Sequence, residues 1–487
     1  MRSRRSSYPG PVQLVPTDAL AKQAALREAV QKQPHDVAVW IALSQACQVL
    51  TDEQGAIDAA RAAVDLAPDN ADAIRQYAYS LVQVGRLMVE ARSWFDRLHD
   101  VVPDDAIGLY YRYNFALLSG DYRKAIDACE RLDRVELGNP IISARIARAR
   151  RLLGDSAGAA ERFAHAAARC STEQDPFPFG RMASLKPVYS ALAGDPVAAE
   201  RMSLELCQAE GGGLADLSHP RYPDDCEESI ARLQSRIRGR DLFVFGNGPS
   251  LREITSRKDE VASLDFASMT MSLFQIVNDD LLRPTGKQLD MVCMSHPSAV
   301  SSQIPAIREW FSAVPQATLL LPLWMRELAA VKGEPEFLLG QSDSIFWYDC
   351  YGEHLPSPQE PLHIPPLNTL LFALFVGVLG LPRRIFMFGF DGQIKGSDSQ
   401  QPGALYYKED HESYHQTRRG TPEVRDFTRA WLLWDSVLFN EMAPRVLRHA
   451  ALLFDLPQPP IYNVCPDSAL TVFPRITFDR FRRLVSE

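Results

Sequence analysis

Two short stretches hold the residue types with which group transfer is done. The first is DLFVFGNGPSLREI, residues 241–254, where an apolar run meets Gly246, Asn247, Gly248, Pro249 and Ser250. A strand-to-helix turn with so little side-chain bulk either serves the chain alone or leaves room for a phosphate or ribose beside the backbone. Asn247 adds an amide there. Ser250 and Glu253 have capping-box spacing, so the Ser250 side chain is expected to accept from the Glu253 amide while Glu253 reaches back. The second stretch is HESYHQTRR, with His411 and His415 four residues apart and Arg418 and Arg419 behind them. An imidazole titrating near neutrality suits removal of a proton from an acceptor hydroxyl. The arginines either meet a carboxylate or phosphate or lie on a solvated loop. The i, i+4 histidines also have metal spacing, but no carboxylate or cysteine stands at a standard third-ligand spacing, so no metal is expected.

These residues need elements to hold them. Short apolar runs alternate with helical patterns: 241–246, 290–295, 317–323, 344–350, 384–392 and 450–456. Continuous apolar strands between helices predict a mainly parallel, Rossmann-like sheet covered on both faces, over 236–487. Ligands of such sheets bind beyond the carboxyl ends of the strands, which directs attention to the turns after 245 and 388. Asp391, in GFDG, ends a strand and is either structural or part of that site. Residues 393–423 are polar and aperiodic, as expected of a lid. LLFALFVGVLGL, 370–381, is too short to span a bilayer and is expected as a buried helix. TFDRFRRL, 477–484, is expected as a C-terminal helix rather than a membrane patch.

The first half has another grammar. Pro34, Pro68 and Pro103 are 34 and 35 residues apart; Gly85, Gly120 and Gly154 are 35 and 34 apart; Ala91, Ala125 and Ala159 are 34 apart twice. This period, with Ala, Gly and Pro at fixed places, resembles the tetratricopeptide repeat and implies a helical superhelix over 17–210. Four units are expected across 36–175 and an irregular fifth pair at 186–207. Such an array either binds a protein partner or mediates oligomerisation. Residues 1–16 are expected to be disordered, and the Gly/Pro-rich 211–235 to be a linker.

Composition narrows the partners. The 487-residue chain has a net charge of −9, with 46% hydrophobic and 23% charged residues. No basic block dominates, so nucleic acid is not an expected partner. Eight scattered cysteines without a CxxC pair suggest neither a zinc cluster nor a disulfide framework. A cytoplasmic protein without a transmembrane segment is expected, peripheral at the inner membrane if it meets a membrane at all.

Four motifs in fixed order resemble the bacterial sialyltransferases of glycosyltransferase family 42: FVFGNGPSL, ALFVGVLGLPRRIFMFGFDG, HESYHQ and IYNVCPDSALTVF, spanning roughly 241–476. The opening turn is similar also to that of motility-associated factors and pterin diphosphokinase-like proteins. The resemblance implies metal-independent, inverting transfer of a sialic-acid-like sugar from a CMP-activated donor to a glycan or protein acceptor, with no cofactor. It implies that Asn247, Gly248 and Ser250, with Gly246 and Pro249 in the same turn, line the nucleotide and phosphates. Asn368 and Thr369 would form another phosphate-proximal turn, Asp467 and Ser468 the late loop that closes the site, and His415 the general base. Where the family has asparagines on the nucleoside, Ser272 and Ser295 or His296 stand here. The family's arginine is replaced within HIPPLNT, and Tyr406 and Tyr407 are the nearby candidates for the leaving phosphate. Two other functions remain open: another nucleotide-dependent transferase, diphosphokinase-like, and a non-catalytic repeat scaffold with a degenerate nucleotide-sugar-binding domain.

Overall fold

The computed structural model describes residues 16–83, 88–136, 138–170, 182–209, 226–246, 248, 250–271, 277–293, 316–332, 345–348, 355, 368–391 and 422–487. They fall into two compact units. The first takes the described residues up to Ala198 together with 324–332 and 422–430; the second takes the rest. Residues 1–15 of the predicted N-terminal tail, linker residues 211–225 and lid residues 393–421 lie outside the described residues.

The first unit is a helical array of tetratricopeptide-like repeats. Helix α1 (Ala19–Lys32) precedes four hairpins, α2 (Val37–Val49) with α3 (Glu53–Leu66), α4 (Ala71–Gln83) with α5 (Met88–Val101), α6 (Ala106–Leu118) with α7 (Tyr122–Val135), and α8 (Pro140–Leu152) with α9 (Ser156–Arg169). The shorter α10 (Lys186–Leu192) packs on α9, and α11 (Pro196–Ala209) follows in the chain, its residues from Ala199 onward falling in the second unit. Ala91, Ala125 and Ala159 are fully buried, which explains why the period returns to a side chain no larger than methyl there. The turns repeat as well. Gly120, Gly154 and Gly194 take positive φ and are followed by Asp121, Asp155 and Asp195, whose carboxylates accept from Lys124, Gly158 and Ala198 amides. A second series of caps recurs before the other helix of each pair, at Asp36, Asn70, Asp105 and Asn139. Each such cap contributes on the order of 1 kcal/mol.

The second unit is built on a seven-stranded, all-parallel sheet of order β5-β4-β3-β2-β1-β6-β7. After α12 (Cys226–Ile237) the chain runs through β1 (Asp241–Phe245), α13 (Leu251–Ser256), α14 (Lys258–Ala262), β2 (Phe266–Met271), β3 (Met291–Cys293), β4 (Thr318–Pro322) and α15 (Leu323–Val331), of which α15 from Trp324 onward belongs to the first unit. Then follow β5 (Ile345–Tyr348), α16 (Thr369–Leu379), β6 (Arg384–Phe388), α17 (Pro422–Leu453), which belongs to the second unit from Trp431 onward, β7 (Ile461–Asn463) and α18 (Phe478–Ser486). One strand expectation is corrected. Residues 450–453 of AALLFDL close helix α17, and the seventh strand is IYN. A short apolar run has no period that separates strand from buried helix, and here Ala450, Ala451 and Leu453 are buried as helix.

Alternation along β1 and β6 gives the sheet two apolar faces. Phe243 stacks on Phe266 at 4.1 Å and meets Phe481 of α18 at 5.3 Å, while Phe386 lies 5.0 Å from the same Phe481. The C-terminal helix thus spends its apolar side, Phe478, Phe481 and Leu484, in the core. On the opposite face α16 packs on β1, β2 and β3, with Gly377 against Leu242 and Ile385: a Cβ there would stand 2.9 Å from Leu242 Cδ2. Its end at Gly380 lies against Ile237, and Leu381 O accepts from Gly239 N, just before β1 begins. Helix α16 therefore runs antiparallel to β1. Its eleven residues span about 16 Å, a strand's length, which brings Asn368 to the carboxyl edge of the sheet. At the amino edge the buried Asp241 carboxylate accepts bidentate pairs from Arg383 and Arg384 at 2.7–2.9 Å. Burial alone would raise its pKa, but the two guanidiniums outweigh it and hold it below the usual range. No described helix is long and apolar enough to cross a membrane.

Candidate functional site

The strand order reverses at β1: β2 through β5 lie to one side, β6 and β7 to the other. In open parallel sheets that reversal opens a crevice at the carboxyl edge, the ordinary ligand position. Here the crevice is flanked by the turn after β1, Gly246–Ser250, and the turn after β6, Gly389–Asp391.

The two turns are stitched to each other. Gly246 N donates to Phe388 O at 2.7 Å and Gly248 N to Gly389 O at 2.8 Å. Ser250 N lies 3.2 Å from both Asp391 carboxylate oxygens, and Ser250 Oγ donates to Asp391 Oδ2 at 2.9 Å. The glycines therefore have a reason inside the fold. A Cβ on Gly246 would stand 2.6 Å from Gly389 O, and one on Gly248 would stand 2.0 Å from Asp391 Oδ2 and 2.6 Å from Gly389 O. Gly389 itself has φ +73°, a left-handed conformation suited to glycine.

The capping-box expectation is corrected. Ser250 has φ −63° and ψ −14°, its side chain makes no cap bond, and the Glu253 amide donates to the Ser250 backbone carbonyl at 3.1 Å. The hydroxyl points instead at the Asp391 carboxylate, to which it donates a charge-assisted hydrogen bond. The helix that follows is only six residues long.

A third segment completes the site from β7. Ser468 Oγ donates to Phe390 O at 2.6 Å and accepts from Leu470 N, while Asn463 Nδ2 donates to the same carbonyl at 3.1 Å. Ala469 N donates to Asp391 O at 2.7 Å, and Cys465 Sγ approaches Asp391 Oδ1 at 3.5 Å. Ser468 is buried and fully engaged in holding this loop, whereas Asp467 is exposed. Burial pushes the Asp391 carboxyl above its usual range, against the opposing hydrogen bonds from Ser250 and Cys465. The Cys465 thiol is pushed up to about 12, by burial first and then by the Asp391 charge. Among the described residues no cation forms an ion pair with Asp391. Two buried polar atoms nearby in the sheet have no hydrogen-bond partner among the described residues: Asn463 Oδ1, and Thr270 Oγ1 beside Phe245 at the carboxyl end of β2.

Of the remaining sequence candidates, Asn368 caps α16, accepting from Leu371 N at 2.9 Å, and Thr369 is its first residue. Both stand at the carboxyl edge. Asn247, Pro249, Ser272, Ser295, His296, Tyr406, Tyr407, His411, His415, Arg418 and Arg419 lie outside the described residues. Sequence reasoning named Asp467 and Ser468 in the late loop but passed over Asn463 and Cys465. The signal for them was their place in the strand end and turn leading into that loop, NVCPDS.

No protein-family model matches the chain, and no curated protein matches it in sequence. Solved structures resemble part of it. PilW, a type IV pilus biogenesis factor, is 20% identical over 39% of this chain and 86% of its own, at a TM-score of 0.33. YrrB, described as a TPR protein with an unusual peptide-binding site, is 14% identical over 37% of this chain and 89% of its own, at 0.30. TTC0263, a thermophilic TPR protein of Thermus thermophilus, is 17% identical over 36% and 90%, at 0.28. Each likeness spans little more than a third of this chain. The sialyltransferase resemblance gains no support from these comparisons.

Proposed function

We propose that this chain is a tetratricopeptide-like scaffold carrying an α/β module that binds a ligand of the nucleotide-sugar class in the β1/β6 crevice. The observation that carries the reading is topological: the glycine-bearing turn Gly246–Ser250 stands at the reversal of strand order, facing Asp391. The helical repeats supply a surface for a protein partner or for a second copy of the chain, as such arrays bury only their own neighbours. Thermal melts of the full chain with CMP, CDP, UDP and GDP, without added metal, test the ligand class. A ligand at 100 times its Kd is expected to add about 2.7 kcal/mol of stability. If none of the four shifts the melt, the nucleotide reading falls and the scaffold reading stands alone.

A second reading is favoured by one observation. Three of the four motif segments behind the sialyltransferase resemblance, the opening turn, Gly-x-Asp and Cys-Pro-x-Ser, meet through direct hydrogen bonds. On that reading the module transfers a sialic-acid-like sugar from a CMP-activated donor, with His415 as base and with Tyr406 and Tyr407 at the leaving phosphate. Release of CMP from such a donor, dependent on an added glycan or protein acceptor, is its test.

A further inference from the structure

Three of the seven large apolar side chains exposed among the described residues stand together at one edge of the repeats: Leu66, Val101 and Val102, at 39%, 39% and 36%. Two turns of one pattern, DLAPD and DVVPD, make that edge. Asp65, Leu66, Pro68 and Asp69 return 35 residues later as Asp100, Val101, Pro103 and Asp104, and all are exposed. Asp65 and Asp100 lie in the last turns of α3 and α5, where a carboxylate meets the negative end of the helix dipole and costs the helix stability. Arg97 reaches Asp69 at 3.3 Å and Arg131 reaches Asp104 at 2.8 Å, and among the described residues no cation pairs with Asp65 or Asp100. The pattern stops on both sides. Lys32 holds the place of Leu66 one repeat earlier, and Arg134 holds that of Asp100 one repeat later. An apolar centre inside a polar rim is the anatomy of a protein interface, and the acidic rim selects a basic partner.

The second unit carries the complement at the amino edge of its sheet. RIRGR, 236–240, ends α12 and leads into β1, and LPRR, 381–384, leads into β6. Gly239 N donates to Leu381 O at 3.0 Å and Arg383 N to Arg240 O at 2.8 Å, which brings the two arginine runs together. Arg384 also donates to Leu484 O, so Arg483 of α18 stands at the same edge. Six arginines there meet three carboxylates, Asp241, Asp265 and Glu487. Asp241 is buried and taken by Arg383 and Arg384, and Asp265 pairs with Arg240 at 3.2 Å. The edge is therefore cationic on a chain whose net charge is −9. Arg238, Arg383 and Arg483 are exposed, while Arg236 and Arg240 are fixed by bonds to the carbonyls of Gln316 at 2.6 Å and Arg236 at 3.0 Å.

We propose that the acidic turns of one copy, Asp65–Asp69 and Asp100–Asp104, dock on the arginine edge of a second copy, so that the chain assembles head to tail. A second copy is the partner because one chain carries both halves of the contact, and each stays exposed in the folded chain. The inference rests on the scaffold reading of the repeats, and within it names the surface and the partner. The two surfaces differ, so the contact is heterologous and builds a closed ring or an open filament rather than a two-fold dimer. Exposed ion pairs contribute little each, so the charges steer and set register while the apolar centre holds.

The test is sedimentation velocity of the full-length chain at about 50 and about 500 mM sodium chloride, where screening of exposed charges differs most usefully. The parent is expected to form species heavier than monomer at low salt and to associate at least about tenfold more weakly at high salt. Arg238→Glu with Arg483→Glu, and separately Asp65→Lys with Asp100→Lys, change exposed side chains only. Each pair is expected to leave a monomer at low salt. Mixed in equal amounts, the two variants are expected to associate again, since each then meets the opposite charge. A parent chain that is monomeric at low salt overturns the pairing, and co-flotation of that monomer with phosphatidylserine vesicles would give the arginine edge to a lipid surface instead. Assembly that neither variant weakens, or variants that stay apart when mixed, overturns the pairing while the scaffold reading survives through another surface. The salt series on the parent carries the test even where a variant folds poorly.

Discussion

Asp391 is the residue on which the site turns, and its ionisation should be visible in the fold. Its carboxyl is raised from 3.8, chiefly by burial. The native state therefore binds this proton more tightly than the unfolded chain, and stability falls as pH climbs from about 4 through the native pKa. Asp391→Asn cannot ionise. It is expected to match the parent at low pH and to gain on it across that window, as read by denaturant melts at successive pH values. A constant offset would show that Asp391 carries no such proton. His415 belongs to the transfer reading. A positioned base contributes about 10² to 10⁴-fold, so His415→Ala should cut acceptor-dependent turnover by that factor with little change in nucleotide affinity. Near-full turnover in the variant would remove His415 from the mechanism. Single residues were unevenly legible in the sequence. The Gly246–Ser250 turn and Asp391 were visible as a break after an apolar strand. That Ser250 gives its hydroxyl to a carboxylate 141 residues away was not, because capping rules are local and that partner is not.

At the scale of elements, the two turns act as one piece. Gly248→Ala would place a methyl 2.0 Å from the Asp391 carboxylate and 2.6 Å from a backbone carbonyl that cannot swing aside. It is expected to destabilise the chain by about 1–3 kcal/mol, the range of overpacking, with a melt as readout. An unchanged melt would mean that the β1 and β6 turns are not held together as described. The same contact means that a bulky residue at Gly248 tests the fold before it tests a ligand. The repeats were legible from their period of 34–35 residues, and the parallel strands and the buried helix α16 from continuous apolar runs whose lengths and flanks set them apart. The error at 450–456 came where no period exists, in an apolar run that α17 absorbs as its last turn. The paired series of caps, Asp36, Asn70, Asp105 and Asn139, was in the sequence at the repeat spacing; the first three stand two residues after the prolines that marked the period, and Asn139 stands just before Pro140.

At the scale of the whole molecule, two architectures with different uses share one chain. Repeat hairpins bury alanines and aromatics between neighbours and offer an extended surface, which on the proposed reading is for recognition. A parallel sheet offers one privileged point, the reversal of strand order, where the proposed reading places a small ligand. The sheet order could not be read from the sequence, since parallel strands pair across long crossovers and nothing local names the neighbour. The central claim is that a nucleotide-class ligand occupies the crevice at β1 and β6. Amide hydrogen exchange of the full chain, with and without saturating nucleotide from the melting panel, tests it most directly. Slowed exchange is expected in peptides covering 246–251, 388–391 and 465–470 and none in the repeat helices 37–169. Bound nucleotide with protection confined to the repeat helices, or with none at the two turns, would contradict it.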